Sequence, residues 1–168
     1  MSKKIFFFII LSIVAVVMIF FSKNHKKHKD PTINLSGLEL KDLNGNIINF
    51  KTLYGKPLII NFWATWCGPC REEFPNFENA YKKYNDKINF LMVSAETPDK
   101  ILIFKNKNNY TLPLVQSQQQ FNALGITSIP VTCIFSDKGQ ILYTIKTVLS
   151  EKELNVIITE LLKTSIIK

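Results

Sequence analysis

The stretch LIINFWATWCGPC, Leu58 to Cys70, constrains this chain more than any other. Its first half, Leu58 to Trp63, is an apolar run broken only by Asn61, the pattern of a strand covered on both faces. Its second half carries two cysteines two residues apart, Cys67 and Cys70. Helical spacing follows at once, from about Pro69 to Tyr84, with Phe74, Phe77, Ala80, Tyr81 and Tyr84 three and four residues apart. A buried strand that runs into a helix through a cysteine pair leaves three chemistries open: a structural disulfide, half of a metal site, or a redox pair.

Each makes different demands on the rest of the chain. A structural zinc site takes four ligands, commonly two Cys-x-x-Cys units or cysteines with histidines. This chain has one such unit, a separate Cys133, and two histidines, His25 and His28, far away in sequence. A carrier for a soft ion such as Cu(I) could use the pair, but Met or His ligands are missing nearby. A purely structural clip across two residues closes a tiny loop and removes little unfolded-state entropy. Redox exchange needs what this spacing supplies: one thiolate to attack and a second thiol close enough to resolve the mixed disulfide. Cys67, at the helix start, faces unpaired backbone N–H groups that stabilise a thiolate, so it is the expected nucleophile. Cys70, one turn in, is the expected resolving thiol. Pro69 suits the first helical turn, and Gly68 leaves room for an approaching backbone. Trp66, beside Cys67, is expected on a docking surface. Cys133 alternates inside VTCIF and reads as a small buried apolar residue.

The rest of the domain alternates strands and helices. Asn44-Gly45 signals a hairpin of type I′, in which both central residues need positive φ. Ile88 to Ser94 reads as a second buried strand, and Pro98 to about Asn106 as a helix opened by proline. A short extended piece, LPLV, follows. Gln116 to Leu124 reads as a helix ended by Gly125. VTCIF and ILYTIK flank a second hairpin at Asp137 to Gln140. Ser150 followed by Glu153 is a capping-box pattern that opens a final helix to about Lys163. The sum is an α/β chain with a mixed sheet and helices expected on both faces.

Two features lie upstream. Ile5 to Phe21 is a run of seventeen residues with only Ser12 polar, long enough as a helix to cross a hydrocarbon core of about 30 Å. No small-residue cleavage site follows it, so residues 1–22 are expected to be an uncleaved membrane anchor and residues 23–34 a linker. The formal charge of +8 is concentrated there. Six lysines and one aspartate in residues 1–30 give +5, which leaves +3 for the remaining residues. A mildly basic domain of that kind is a solvated surface rather than a nucleic-acid site. Four lysines after the run against two before it would place the domain in the cytoplasm by the positive-inside rule.

NFWATWCGPC, with Ile129-Pro130-Val131-Thr132 some sixty residues later, resembles the thioredoxin superfamily. The early hairpin, the anchor and Asn61 narrow the resemblance to the membrane-anchored TlpA/ResA-like thiol-disulfide oxidoreductases, over roughly residues 35–165. That resemblance implies a thioredoxin fold over 35–168, behind an N-terminal hairpin and a single transmembrane helix. It implies a monomer facing the periplasm or another extracytoplasmic space, against the lysine count. It further implies reduction of protein disulfides, apocytochrome c among them, with a redox donor in the membrane, no cofactor and no resident metal. Thioredoxins proper carry a buried Asp where this chain has Asn61, and an Asn cannot shuttle a proton. In the ResA-like group a Glu compensates, and Glu96, after the second core strand, matches it as the proton handler near Cys70. The resemblance also implies a cis Ile129-Pro130 bond that faces the cysteines and offers the backbone of Ile129 to a substrate peptide. Two other classes stay in view: a metal chaperone, and a redox-inert binding module on the same fold.

Overall fold

The computed structural model describes residues 33–166. The expected anchor, residues 1–22, and most of the linker lie outside the described residues. Among the described residues, no helix is long and apolar enough to cross a membrane.

The strand expected first is the centre of the sheet. Strand β1 is Leu40–Lys41, β2 Leu58–Phe62, β3 Asn89–Ser94, β4 Leu114–Ser117, β5 Val131–Phe135 and β6 Ile141–Ile145. Their spatial order is β1-β4-β3-β2-β5-β6. The β2/β3 and β3/β4 pairs are parallel; β1/β4, β2/β5 and β5/β6 are antiparallel. All five residues of β2 are buried. Alternation sends Leu58, Ile60 and Phe62 to one core and Ile59 to the other. Asn61 therefore belongs to the face of Ile59, directly across from Thr132 in β5.

The helices are α1, Gly68–Tyr84, α2, Pro98–Asn108, and α3, Glu151–Ile166. Their buried residues, among them Phe74 and Phe77, Ile101, and Leu154 and Ile158, join one core with Ile59 and Ile134. Trp63, Phe74, Phe104 and Tyr110 form an aromatic cluster within it, with ring centroids 4.5 to 5.7 Å apart. The opposite core is closed by the N-terminal segment, through Ile33, Leu35, Leu38 and Phe50, and by the short turn Phe121–Leu124. Helices on both faces were expected, and the difference has a local cause. Gln116 and Ser117 are held in β4 by pairing with Lys41 and Leu40. The Ser117 hydroxyl then closes on Gln119. Too few residues remain for an α-helix before Gly125, which takes the expected left-handed cap at φ 74°.

The two turns follow one rule. At Asp42 to Asn46 the Asp42 carboxylate accepts the N–H groups of Asn44 and Asn46, and Gly45 N–H donates to the Asp42 carbonyl. At Ser136 to Gln140 the Ser136 hydroxyl accepts from Lys138 and Gln140, and Gly139 N–H donates to the Ser136 carbonyl. Each is a three-residue loop whose one positive-φ residue is glycine, so Asn44 does not adopt the type I′ conformation expected of it. The second loop joins β5 to β6 as expected. The first supports only an isolated bridge, Lys41 to Ile47, on the edge of β1 opposite the one that pairs with β4.

Helix α1 is tied to the sheet by a buried carboxylate. Glu78 accepts the Thr111 and Leu112 N–H groups and the Thr111 hydroxyl, and Lys82 lies 3.2 Å away. Burial pushes its pKa up, but those hydrogen bonds outweigh it and hold the pKa below the ordinary 4.5. Its stabilisation is therefore present above the ordinary value and lost as pH falls through the lower folded value. Glu78→Gln is expected to cost about 1.5–3 kcal/mol near neutral pH. In urea unfolding, the gap to the wild type should narrow below pH 4.5. A gap that is unchanged at low pH would rule out the ionised form as the source.

Candidate functional site

The site forms where β2 ends and α1 begins. Trp63 N–H still bonds the Val93 carbonyl, and Cys67 N–H bonds the Ala64 carbonyl, so the loop 64–66 is tightly closed. Cys67 is the N-cap of α1, with extended φ −77° and ψ 107°, and its Sγ accepts the Cys70 N–H at 3.2 Å. The capping role usually filled by a hydroxyl or carboxylate is here filled by sulfur. Pro69 lies in the first turn, where no N–H is needed. Cys67 and Cys70 are joined as a disulfide, S–S 2.03 Å. Both are buried, and Cys67 is the more exposed of the two, 4% against 0%. A Cβ placed on Gly68 would meet no other part of the chain within 4 Å, so the space over Gly68 is open.

The cis-proline segment arrives from the other side. Ile129-Pro130 is cis, and the Ile129 carbonyl lies 3.8 Å from Cys67 Sγ. An open groove of about 590 Å³ runs beside it, lined by Ala64, Trp66, Ala95, Glu96, Phe121 and Ile129 among others. Trp66 is 72% exposed on its rim. Five residues expected at the site, Trp66, Cys67, Cys70, Ile129 and Pro130, are thus brought together.

The two acids of the site differ in placement. Glu96 accepts the Thr65 N–H at 2.6 Å and the Thr65 hydroxyl at 2.8 Å, with Ser94 bracing it. Its carboxylate pins the loop two residues ahead of Cys67. Glu73, one helical turn beyond Cys70, is fully buried. One of its oxygens accepts Asn61 Nδ2–H at 2.7 Å, the other accepts the Leu149 N–H at 2.9 Å. Burial pushes its pKa above the ordinary 4.5, against those two hydrogen bonds. Glu73 is not among the residues expected at the site from the sequence. The available signal was its position three residues after Cys70, in the stripe that continues through Phe77 and Ala80, where a carboxylate is out of place.

Cys133 is buried in the core on the other side of the sheet, 4.0 Å from the Thr144 hydroxyl, and is not part of the disulfide. Among the described residues, no group of three or more His, Cys, Asp or Glu side chains is placed to hold a metal ion.

A family model described as the AhpC/TSA family matches residues 31–144. Thioredoxin-like protein YneN of Bacillus subtilis is 37% identical over 107 residues, 61% of this chain and 63% of that protein. The match therefore spans less than two thirds of that relative's length. The thiol-disulfide oxidoreductase ResA of Halalkalibacterium halodurans is 28% identical over 155 residues, 84% of this chain and 86% of that one. Among solved structures, a thiol:disulfide interchange protein of the thioredoxin family from Chlorobium tepidum superposes with a TM-score of 0.66. It is 22% identical and covers 74% of this chain and 93% of its own. StoA from Bacillus subtilis gives 0.60 at 24% identity, covering 70% and 92%. These similarities bear out the thioredoxin fold, a mixed sheet flanked by helices, and the resemblance to ResA-like proteins.

Proposed function

The chain belongs to the AhpC/TSA family, and from that membership and the site's geometry we propose that it is a thiol-disulfide oxidoreductase that reduces protein disulfides. The observation that carries this is the Cys67–Cys70 disulfide, whose outer sulfur caps α1 and lies 3.8 Å from the Ile129 carbonyl beside an open groove. In the reduced protein, the Cys67 thiolate is stabilised by the Cys70 N–H and the helix N-terminus. It attacks one sulfur of a substrate disulfide; a bond from Cys67 to that sulfur forms and the substrate S–S bond breaks. Cys70 then loses its proton and attacks Cys67 Sγ. The intramolecular disulfide forms, and the second substrate thiol leaves with a proton. The enzyme loses two electrons and the substrate gains two.

The residues around the pair divide the remaining work. Trp66, Gly68 and Pro69 form the contact surface, and the backbone of Ile129, set by cis Pro130, offers an extended substrate segment a short β-like pairing. Of the two carboxylates, Glu73 fits the role of holding the Cys70 proton better than Glu96, to which the resemblance assigned it, since Glu73 is buried one turn away with a raised pKa. Glu96 fits that of fixing the Thr65 to Cys67 loop. The proposal extends to the setting: residues 1–22 anchor the chain in the membrane, residues 23–34 form a linker, and the domain works outside the cytoplasm as a monomer. There a membrane donor re-reduces the pair, and apocytochrome c is a fitting substrate. The apolar run Ile5 to Phe21 supports the anchor, and the resemblance to the TlpA/ResA-like group supports the rest of this setting.

An insulin-reduction assay with dithiothreitol tests the activity. Faster precipitation of the insulin B chain than dithiothreitol alone produces is the expected result; an unchanged rate overturns the reading. For topology, alkaline phosphatase fused after residue 168 should be active, because it requires export. An inactive but well-expressed fusion would place the domain in the cytoplasm, as the lysine count does.

A further inference from the structure

Asn61 is buried at the centre of the sheet, yet its hydrogen bonding is lopsided. Nδ2 donates twice, to Glu73 Oε1 at 2.7 Å and to Thr132 Oγ1 at 3.0 Å. Oδ1 is buried with no partner. A buried acceptor left empty costs free energy, so the arrangement calls for an explanation. The same position admits a second one. If the amide turns over, Oδ1 occupies the place of Nδ2, between Glu73 and Thr132. It can then accept two hydrogen bonds, one from a protonated Glu73 and one from the Thr132 hydroxyl, whose hydrogen is free to rotate. The count of hydrogen bonds to Asn61 is two in either orientation, but turning over exchanges one unpartnered acceptor for two unpartnered N–H donors, a cost that only the bond from a protonated Glu73 offsets.

We propose that Asn61 positions the Glu73 carboxyl in both of its protonation states by turning its side-chain amide over as Glu73 gains or loses a proton. The inference rests on the reading of Glu73 as the group that holds the Cys70 proton. A carboxylate at Glu73 accepts from Nδ2, as in the structure. A carboxylic acid cannot direct its proton at an N–H donor, and its other oxygen is already committed as acceptor to Leu149 N–H. The proton therefore sits on Oε1 and requires an acceptor opposite, which Oδ1 supplies. An Asn cannot carry the proton, but it can exchange its donor for its acceptor at a fixed point. An ionised Asp at this place lacks the donor, and an apolar residue lacks both.

Glu73 faces Asn61 from β2 and the Leu149 N–H from the segment before α3, and Thr132 of β5 lies behind Asn61. On its own helix the two cysteines at the helix start titrate only once reduced, and the Cys133 thiol belongs to the core on the opposite face. Burial and those two hydrogen bonds account for its pKa, with no charged partner among the causes. Because Thr132 follows Pro130 by two residues, the same amide joins the helix of Cys70 to the strand that carries the cis-proline segment.

The test is NMR of the full-length chain in its disulfide form, where neither active-site sulfur titrates, with 15N-labelled asparagine and 13C-labelled glutamate. The Asn61 Nδ2 resonances should move with the same midpoint as the Glu73 carboxyl carbon. In Glu73→Gln the new amide must accept from Leu149 with its oxygen and donate towards Asn61 with its nitrogen. The Asn61 resonances should then stay at the acid-end position at every pH. As a readout on function, Asn61→Asp places two carboxyl groups on one proton, and the pH profile of Cys70 alkylation in the reduced protein should rise by about one unit or more. Asn61 resonances that ignore the Glu73 titration, or that sit at the alkaline-end position in Glu73→Gln, overturn the proposal. Because these signals are read without substrate, they are independent of the insulin assay, so failure of the oxidoreductase reading is seen separately.

Discussion

Cys67→Ser is expected to abolish disulfide reduction, while Cys70→Ser is expected to retain attack and accumulate mixed disulfides with its substrates. The asymmetry follows from where α1 starts. Cys67 is the N-cap, and its sulfur already receives a backbone N–H at 3.2 Å, so a negative charge there is stabilised before substrate arrives. Cys70 is fully buried behind it, where a thiolate has no solvent. Cys67 Sγ lies 3.8 Å from the carbonyl of Ile129, a residue that lines the open groove, so Cys67 is the sulfur that meets an incoming disulfide. Removing it removes the reaction. Removing Cys70 leaves the first step intact and deletes the escape from the covalent complex. Non-reducing electrophoresis of each variant after incubation with oxidised substrate gives the readout. Adducts on Cys67→Ser and none on Cys70→Ser would reverse the roles.

Glu73→Gln is expected to slow exchange by about 10²-fold near neutral pH, the lower end for loss of a general acid–base group. It should also flatten the pH dependence of Cys70 alkylation. Attack by Cys70 on the mixed disulfide requires that its proton go somewhere, and Glu73 is the buried carboxylate one turn away. Stability should move in the opposite direction from activity. The folded-state pKa of Glu73 lies above its ordinary 4.5, so the folded state binds its proton more tightly than the unfolded state does. Its favourable contribution is therefore complete below pH 4.5 and is lost as pH rises through the folded value. The variant carries no such penalty, and its amide still reaches Leu149 and Asn61. In urea unfolding, the variant should gain on the wild type as pH rises from the ordinary value through the raised one. A stability difference that is constant across that interval, together with wild-type exchange rates, would return Glu73 to a purely structural role.

Glu73 and Glu78 show how little a glutamate's place in a sequence says about its ionisation. Both lie on α1 and both are buried, but their pKa values move in opposite directions. Glu78 meets two N–H groups, a hydroxyl and a lysine, enough to outweigh burial. Glu73 meets one N–H group and one amide, which is not enough. The difference comes from residues 33 and 76 positions away, Thr111 and Leu149.

By itself the sequence determined the parts whose physics is local. An apolar run flanked by a cysteine pair and a helical stripe yields β2, the Cys67 cap and α1, because burial on both faces and helix capping need only near neighbours. The loop at Ser136 to Gln140 and the capping box of Ser150 and Glu153 formed as read, since their hydrogen bonds span three or four residues. Only the tertiary structure decided the rest. Leu40 and Lys41 pair with β4 on one edge and carry only the Lys41–Ile47 bridge of their own hairpin on the other, and this place in the sheet buries Leu40. Gln116 and Ser117 were drawn into that same ladder and out of a helix. Glu73 became the buried acid beside Cys70 because the sheet and Leu149 close over that side of α1. Which side of a helix is closed depends on contacts between residues far apart in the chain, and no local pattern records them.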